Sequence, residues 1–543
     1  MNRKSLILAA LLPAAALLAA CGSSSAGSSS GGTTELAVGV MSQFQNPNPF
    51  NAFSIMDYDV EDLEYPYLVQ YNADDQIAPD LAKSWSTSDG GKVWTFHLVP
   101  NAKWSDGKPL TSADVAFTWD TILKYVKGPT ALDAENVTDL LSVKATNPTT
   151  VVFTYSAPLA SVLTYINNTS ILPEHIWAKY ATGNGAQLKT FGNKPPIVSG
   201  GPYIPEQWNG TTTLILKRNP NWYGPKPAAS EVVIEYYTTP DGLIQALKSG
   251  QIDYANAIPQ SSASVVHNDG LIVDEYPSVQ YLDLFFNMDH PNSSAILDPT
   301  LRHALNYAVD RSQIISVAYP GSQPGESIVT PAAQDWDPAV KPPAFDLAKA
   351  NQMLNQAGYK MGSGGVRVAP DGKKLAFTVI FDNGLGGAGQ RAFQILQSDF
   401  AKVGVQLNLK TLDTTAFLAA MFGSNNSYTG WDMAMETDAG LLDPGYDLAY
   451  FTCADFGSYN FSGYCSAHYD QLYLEQAAAT NPTVRRQIAD QLQVYADQQL
   501  PALTLLYTST VDVHQHGWTG FGGNPYGALN PMSQVTFETI HKG

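Results

Sequence analysis

The stretch that decides the fold is APDLAKSWSTSDGGKVWTFHLVPNAKWSDGKPLTSADVAFTW, at residues 78–119. Within it, KVWTFHLVP (92–100) alternates apolar and polar side chains, a pattern typical of a half-buried strand. The turn dipeptide Asp106-Gly107 follows. Thr111 is placed to cap a helix that we expect to run to about Tyr125, with Asp114 near its positive end. A strand, a turn and a capped helix in this order predict a mixed α/β fold.

The remaining sequence continues this mixture, without an internal repeat of fixed period. Apolar or alternating runs predict strands at 35–40, 150–155, 212–217, 231–237, 281–287, 375–381 and 405–413. Helical spacing of apolar side chains predicts helices at 243–248, 299–318, 346–357, 390–403 and 483–499. The fold class that follows is α/β with mixed sheets.

Composition restricts the possible partners. The 543 residues carry a formal charge of −19, which argues against nucleic acid, since phosphates require dense Lys and Arg. Charged residues make up 15% of the chain, against a typical value of about 25%, and aromatic residues make up 11%. This combination favours a neutral cleft lined by aromatic rings. No stretch after the N-terminus reaches roughly 18 consecutive apolar residues, so we predict no membrane span.

The N-terminus has the pattern of an export signal. Arg3 and Lys4 precede an apolar run, and we interpret residues 1–20 as a secretory signal peptide. The sequence Leu18-Ala19-Ala20-Cys21-Gly22 resembles the bacterial lipobox, so Cys21 is expected to become the lipid-modified N-terminus. Residues 21–34 would be the flexible tether. The alternative is an ordinary signal peptide with an incidental cysteine.

Two cysteines remain, Cys453 and Cys465, in a loop rich in Gly, Ser, Tyr and Asn. An even pair in an exported chain predicts a disulfide. The alternative, a pair of metal-binding thiolates, would require closer spacing or more partners, and only His468 is nearby in sequence.

Several blocks of the chain together resemble one family. Besides 78–119 they are GGPYIPEQW (200–208), LKRNPNWYG (216–224), ALKSGQIDYA (246–255), LRHALNYAVDR (301–311), FDLAKANQMLNQAGY (345–359), FAKVGVQLNLKTLD (400–413) and GWDMAM (430–435). In this order they resemble the extracellular solute-binding proteins, family 5, of dipeptide-, oligopeptide- and nickel-type ABC importers. The resemblance covers almost all of the mature chain. Within LRHALNYAVDR, we expect Arg302, Asp310 and Arg311 to form ion pairs on a helix surface or between lobes.

The resemblance implies a two-lobed periplasmic-binding-protein fold, type II, of the large peptide-binding class, with an extra subdomain. Lobe I would contain residues 35–54, 196–277 and 506–543, and lobe II residues 278–505. Residues 55–195 would form the extra subdomain. Two strand crossings would join the lobes, the first just before 281–287 and the second within 501–513. The ligand would be enclosed between the lobes.

The resemblance also suggests ligand-binding residues. Peptide-binding members often hold the ligand's α-ammonium group with an aspartate shortly before an acidic-Pro dipeptide. Asp443-Pro444 matches that dipeptide, but the usual aspartate position falls on Gly440 or Leu441, and the available carboxylate is Asp438. Asp438 is therefore a candidate anchor, with a solvated loop residue as the alternative. The other candidates by position are Gln43, Asn46, Trp431 and Tyr446, and a core position is the alternative for Trp431.

Three motifs suggest other chemistry. Gly384–Gly389 fits the dinucleotide pattern G-x-G-x-x-G after a strand, but Phe393 stands where a further small residue is expected. Residues 27–31 fit the nucleophile pattern G-x-S-x-G, but they lie in the tether. His514 and His516 would point the same way on a strand, yet no third metal ligand is near in sequence. We predict neither a metal nor a cofactor.

The predicted function is that of a substrate-binding lipoprotein of an ABC importer, not an enzyme. It would capture an extracellular solute, preferably a peptide, by hinge closure and deliver it to the permease subunits. It would act as a monomer, anchored by lipid at the outer face of the cytoplasmic membrane. The alternatives are an oligosaccharide or another small solute on the same fold, an exported hydrolase, and a surface receptor or adhesin.

Overall fold

The computed structural model describes residues 34–52, 54–72, 76–423, 427–521 and 534–543. The part of the chain from Thr34 to Gly543 is one compact unit. The predicted signal peptide, Cys21, all of the tether but Thr34, and the 27–31 motif lie outside the described residues. Among the residues described, no helix has the length and apolar character needed to cross a membrane.

The strands, numbered in chain order, are short except for two. They are β1 (Glu35–Val40), β2 (Val69–Tyr71), β3 (Ile77–Pro79), β4 (Ala82–Ser88), β5 (Val93–Leu98), β6 (Leu140–Asn147), β7 (Thr150–Tyr155), β8 (Tyr203–Trp208), β9 (Thr213–Arg218), β10 (Glu231–Tyr236), β11 (Tyr254–Ala255), β12 (Ile272–Phe286), β13 (Gln323–Pro324), β14 (Lys360–Met361), β15 (Arg367–Val368), β16 (Ala376–Asp382), β17 (Gln406–Leu412), β18 (Met433–Ala439), β19 (Ala502–His514), β20 (Trp518–Thr519) and β21 (His541–Lys542).

The helices are distributed along the whole chain. They are α1 (Ile55–Glu64), α2 (Ser112–Tyr125), α3 (Val162–Asn167), α4 (Glu174–Trp177), α5 (Ala186–Thr190), α6 (Pro240–Ser249), α7 (Ala263–Asn268), α8 (Pro299–Tyr307), α9 (Arg311–Ala318), α10 (Leu347–Gln356), α11 (Gly386–Lys402), α12 (Thr414–Met421), α13 (Pro444–Ala449), α14 (Ala467–Ala478), α15 (Pro482–Gln499) and α16 (Gln534–Thr539).

One mixed sheet connects most of the molecule. Its order is β17-β16-β18-β12-β19-β11-β1-β10-β9-β8, with β13 paired to β19. The pairs β16–β17 and β1–β10 are parallel, whereas β12 is antiparallel to both β18 and β19. A separate antiparallel sheet, β4-β5-β7-β6, contains the two strands β4 and β5 of the stretch at 78–119. The predicted mixed α/β class is therefore confirmed.

The two long strands, β12 and β19, pass through both halves of the large sheet. Near its start β12 pairs with β19 beside β11, and towards its end it lies between β18 and β19. The register is irregular between Pro277 and Tyr281. These strands correspond to the two predicted crossings. The predicted lobe and subdomain boundaries remain predictions.

The two faces of the sheet around β12 pack into separate cores. Leu282, Leu284 and Phe286 are fully buried against α8, α9 and α11. Tyr281 and Phe285 point to the other face, since side chains alternate along a strand, and they pack with residues of α13, α14 and α15. This second face carries the carboxylates described below.

The decisive stretch folds as predicted. Strand β5 occupies Val93–Leu98, and α2 runs from Ser112 to Tyr125. The Thr111 side chain accepts a hydrogen bond from the Ala113 amide at 3.3 Å, and the Asp114 carboxylate accepts one from the Thr111 amide at 2.9 Å. This reciprocal arrangement is a capping box.

The single helix predicted at 299–318 was wrong. The structure has two helices there, and Asp310 caps the second by accepting a hydrogen bond from the Gln313 amide at 2.9 Å. Of the ion pairs expected nearby on a helix surface or between lobes, only that of Arg311 is found among the described residues, and it is buried. Arg302 is 2% exposed and donates to backbone carbonyls, and Arg311 is 5% exposed and pairs with buried Glu326 at 3.1 Å. Apolar residues at 301, 304, 305, 308 and 309 keep helical spacing up to Asp310, so periodicity alone could not separate the two helices.

The glycine-rich loop at 384–389 is closed by an acid. The Asp382 carboxylate accepts hydrogen bonds from the Gly384 amide and the Thr414 hydroxyl, both at 2.9 Å. A dinucleotide loop presents free backbone amides to an anionic pyrophosphate, whereas here a carboxylate already occupies one of them. The loop therefore serves as a strand-to-helix connection between β16 and α11.

Candidate ligand-binding cavity

A cavity of about 370 Å³ lies where several distant segments of the chain meet. Its wall contains residues of α1, of the segment that leads into β2, of α2 and of the turn after α3, together with Leu441 and Gln534. Leu441 stands between β18 and α13. Strand β18 lies on one side of the two crossing strands, and α1 contacts β8, the end strand on their other side. The volume falls within the range of about 300–1,000 Å³ that is usual for small-molecule sites.

The cavity wall is acidic, aromatic and rich in amides. Its carboxylates are Glu61, Asp62 and Asp133, its tyrosines are Tyr58, Tyr67 and Tyr71, and its amides include Gln70, Asn136, Asn167 and Asn168. Among the described residues that line it, none is Lys, Arg or His. The wall therefore presents carboxyl groups, aromatic rings and neutral hydrogen-bonding groups to a solute.

Helix α1 places two of the carboxylates. Ser54 and Asp57 form a capping box that fixes the start of the helix, and the Asp57 carboxylate also accepts from the amides of Gln45 and Asn46 at 2.7 and 2.9 Å. Glu61 and Asp62, one turn further on, then face the cavity. The Tyr67 hydroxyl donates to the Asp62 carboxylate at 2.6 Å.

The two carboxylates are hard to ionise where they stand. Burial raises the pKa of Glu61 to about 8, partly opposed by a hydrogen bond from Ser170, and raises that of Asp62 to about 6, partly opposed by Tyr67. Neighbouring acids add to both effects. No described Lys, Arg or His forms an ion pair with either group. When either carboxyl group ionises, its negative charge is therefore not compensated by a basic side chain of the described residues.

The wall that carries Leu441 is fixed by a buried ion pair. Arg485 donates to both carboxylate oxygens of Asp443, at 2.8 and 2.5 Å, and the Thr164 hydroxyl donates to the same carboxylate at 3.0 Å. Burial alone would raise the pKa of Asp443, but the Arg485 charge and the hydrogen bonds from Arg485, Gly445 and Thr164 together outweigh burial and lower it. A second contact joins the same regions, because the Ala160 amide donates to the Ala477 carbonyl at 2.7 Å. Segments on both sides of the cavity are thus held together.

The candidate Asp438 lies in a cluster of acids and tyrosines. It is half-buried at the end of β18, opposite Tyr281, so it is not the solvated loop residue of the alternative interpretation. Asp283 and Glu436 form the next cross-strand pair on the same face of the sheet. Asp447 of α13 lies close, since a Cβ on Gly440 would come within 2.5 Å of its carboxylate. Burial raises the pKa of each of the four acids, to about 8 for Asp283.

Tyr446 belongs to the same cluster. Its hydroxyl accepts from Tyr450 at 3.2 Å, and its ring lies 5.4 Å from those of Tyr450 and Tyr459, measured between centroids. The structure therefore brings Asp438 and Tyr446 together. Neither of them lines the cavity of 370 Å³.

The other predicted site residues lie elsewhere. The Gln43 side chain donates to the Thr211 carbonyl at 2.8 Å, and Asn46 contacts the start of α1 through its amide. Trp431 is 1% exposed in the core beside Tyr428, which favours the core alternative. Cys453 and Cys465 form the predicted disulfide, with the Sγ atoms 2.03 Å apart.

The histidine motif makes structural contacts. The His514 Nε2 atom lies 3.2 Å from Asp274, and His516 contacts the Gly270 carbonyl at 2.9 Å. Within the described ranges, no group of three or more His, Cys, Asp or Glu side chains is arranged to hold a metal.

Sequence reasoning missed the cavity residues of α1. A signal was present, since five acids fall between Asp57 and Glu64 and no Lys or Arg stands between Lys4 and Lys83. Acids on a helix usually face solvent, so this run alone does not indicate a site. The tertiary placement of the helix gives it that meaning.

Comparison with known proteins assigns the family. The family model described as bacterial extracellular solute-binding proteins, family 5, matches residues 76–459 of the 543. The protein therefore belongs to this family, and the predicted family and two-lobed fold are confirmed. Family and fold are those of substrate-binding proteins, not enzymes. Proteins of this extracellular class are exported and serve ABC importers.

Individual relatives agree with this assignment. Protein XP55 of Streptomyces lividans is 28% identical over 434 residues, covering 77% of this chain and 74% of that protein. The glutathione-binding protein GsiB of Escherichia coli O1:K1 / APEC is 24% identical over 500 residues, covering 90% and 91%. The oligopeptide-binding protein AppA of Bacillus subtilis, solved with a nonapeptide, has a TM-score of 0.73 at 21% identity and covers 94% and 99%. The last comparison supports the fold alone.

Proposed function

We propose that this protein captures a peptide-class solute outside the cell and delivers it to the permease of an ABC importer. The observation that carries the proposal is the cavity, whose wall combines α1 with Leu441 from the other side of the crossing strands. Relatives named for binding glutathione or an oligopeptide support a peptide as the solute.

Capture would follow from closure of the two lobes. The contacts of Thr164 with Asp443 and of Ala160 with Ala477 join segments that would separate when the cavity opens. A solute that contacts both walls stabilises the closed form, because it binds that form more tightly than the open one. No covalent step is required, and the protein acts as a receptor for transport, not as an enzyme.

Asp438 and Tyr446 remain proposed ligand-binding residues. Asp438 is half-buried and carries a carboxylate that no described Lys or Arg pairs with. Gln43 and Asn46 are proposed to act indirectly, by holding the start of α1: the Gln43 carbonyl accepts from the Ser54 hydroxyl, and the Asn46 amide donates to Asp57.

We further propose that lipid on Cys21 anchors a monomer at the outer face of the cytoplasmic membrane, after removal of residues 1–20. Labelling with a radioactive fatty acid tests the anchor. The wild-type chain should take up label and sediment with membranes, whereas Cys21→Ser should take up none and appear in the soluble fraction. Equal labelling of the two would overturn the anchor.

The function is tested by native mass spectrometry of the purified protein, followed by titration with defined peptides. We expect a stoichiometric mass increment that disappears on unfolding, and intact peptide recovered after incubation. Cleaved peptide would support the hydrolase alternative instead. A retained oligosaccharide would change the solute class, and normal peptide uptake by a deletion strain would favour the receptor or adhesin alternative.

A further inference from the structure

The cavity suggests which peptides the protein prefers. Glu61 and Asp62 both line it from α1, and both are half-buried. In the part of the chain that the structure describes, no basic side chain lines the same wall. Because burial raises the pKa of both groups, ionising either carboxyl group here is unfavourable without a counter-charge. A neutral solute supplies no counter-charge, and an anionic solute would add repulsion. A positive charge on the solute would remove that penalty.

The other lining residues are also suited to a cation. Tyr58, Tyr67 and Tyr71 present aromatic rings, whose faces attract ammonium and guanidinium groups. Amide side chains at Gln70, Asn167 and Asn168 can hydrogen-bond to the remaining polar atoms of a solute. Carboxylates, tyrosine faces and amides together form the kind of wall that recognises an organic cation.

We propose that the cavity receives the positively charged side chain of the transported peptide, an ammonium or guanidinium group that pairs with Glu61 and Asp62. This inference rests on the proposed function and deepens it, because it names basic peptides as the preferred substrates. The group concerned is a side chain of the solute, distinct from the α-ammonium group that Asp438 is proposed to hold.

The charge preference is tested with peptides that differ in one group. Ala-Lys-Ala and Ala-(Nε-acetyl-Lys)-Ala share their α-ammonium group and nearly their shape, but only the first carries a charged side chain. We expect calorimetry to show that Ala-Lys-Ala binds at least about tenfold more tightly, the effect of one charge-assisted hydrogen bond. Ala-Glu-Ala should bind least tightly of the three.

Variants assign the preference to the cavity. In Glu61→Gln the ratio between the lysine and acetyl-lysine peptides should fall towards one, and Asp62→Asn should reduce it as well. Glu475→Gln removes the same charge from α14, outside the cavity, and should leave the ratio unchanged. The comparison of peptides on the wild-type protein remains decisive even if a variant fails to fold.

Proton release gives a second readout. Glu61 is faced by acids of its own helix (Asp57, Asp62, Glu64), by Asp133 and by the phenols of Tyr65 and Tyr67. Because burial raises the pKa of Glu61 to about 8, much of it is protonated at pH 7, whereas a bound cation requires the ionised form. Binding of Ala-Lys-Ala should therefore release a proton and tighten from pH 6 to pH 8. The lysine itself stays charged, with a pKa of about 10.4.

The outcomes separate the two proposals. Equal binding of the lysine and acetyl-lysine peptides, or a preference that both cavity variants retain, would overturn the cation site but leave the transport of peptides standing. If none of the peptides binds, the peptide function fails. The cation site is then tested by binding of 1,5-diaminopentane to the wild-type protein and to Glu61→Gln. Binding to wild type that Glu61→Gln abolishes supports the site, and absence of binding to wild type overturns it.

Discussion

Arg485 shows how strongly a single charged side chain can matter when it is buried. It pairs with both oxygens of Asp443 beside Leu441, and both side chains are largely hidden from solvent. We expect Arg485→Met to lower the free energy of unfolding by about 3–5 kcal/mol, because Asp443 is left as an unpaired buried charge. Urea unfolding measures this change.

The control for Arg485 is an exposed ion pair. Lys248 and Asp269 lie 2.8 Å apart, and each side chain is 38% exposed. Lys248→Met should therefore cost less than about 1 kcal/mol. A similar loss of unfolding free energy in Arg485→Met and Lys248→Met would contradict the prediction, because the buried pair would then contribute no more than the exposed one. Adding Asp443→Asn to Arg485→Met should recover part of the loss.

Asp283 should make stability depend on pH. Burial raises its pKa to about 8, far above the value near 4 expected in the unfolded chain. The folded protein thus holds a proton that the unfolded chain releases, so the contribution of Asp283 is greatest below pH 4 and is lost as the pH rises to about 8.

Asp283→Asn should remove this dependence, because asparagine stays neutral. We expect the free energy of unfolding of the variant, relative to wild type, to rise between pH 5 and pH 8.5, reaching at least about 2 kcal/mol at the upper end. Urea unfolding at several pH values measures it. Asp371→Asn is an exposed control, and its free energy of unfolding should differ from that of wild type by the same amount at every pH. A constant difference for Asp283→Asn would contradict the prediction.

At the scale of the element, helix α2 is fixed at its start by Thr111 and Asp114. Thr111→Ala should cost about 1 kcal/mol of stability, because one helix amide loses its side-chain acceptor. Thermal or urea unfolding measures the loss. Thr111→Ser keeps the hydroxyl and should stay close to wild type. A loss as large in the serine variant would assign the effect to the threonine methyl group instead of the cap.

Elements such as α2 could be predicted because their signals are local. Strand β7 occupies Thr150–Tyr155 as predicted, and α2 ends at Tyr125. The break between α8 and α9 was missed because Ala308 and Val309 continue the apolar spacing up to Asp310, the residue that caps α9. The glycine pattern before α11 fits a dinucleotide motif in sequence, but the contact between Asp382 and Thr414, which are distant along the chain, could not be read from it.

At the scale of the whole molecule, the contact between Ala160 and Ala477 offers a way to hold the cavity closed. Their backbones are joined by a hydrogen bond of 2.7 Å, so cysteines introduced at these positions would be close neighbours across the two segments. Oxidised Ala160→Cys/Ala477→Cys should take up no added peptide, and reduction should restore uptake. Each single variant, and wild type under the same reductant, serve as controls. Unchanged uptake in the oxidised double variant would show that ligand enters without separation of these segments.

The ligand site could not be predicted as the fold could. Its wall combines residues from α1, α2, the turn after α3, Leu441 and Gln534, which meet only in the folded molecule. Trp431 and Asp438 stand seven residues apart, yet one is in the core and the other is half-buried beside tyrosines. That difference follows from packing, which no local pattern contains.

The pairing of β12 with β19 has a mechanical consequence. The crossings are hydrogen-bonded to each other on both sides of the irregularity, from Ile272 with His514 to Phe285 with Ala502. Sliding β12 past β19 would break all of the hydrogen bonds between them at once. Bending the two strands together would break few of these bonds. The paired strands therefore resist sliding but can bend. Bending should be easiest at 278–280, where the regular pairing is interrupted. Opening should consequently be a rotation about this point that leaves the register of both strands intact.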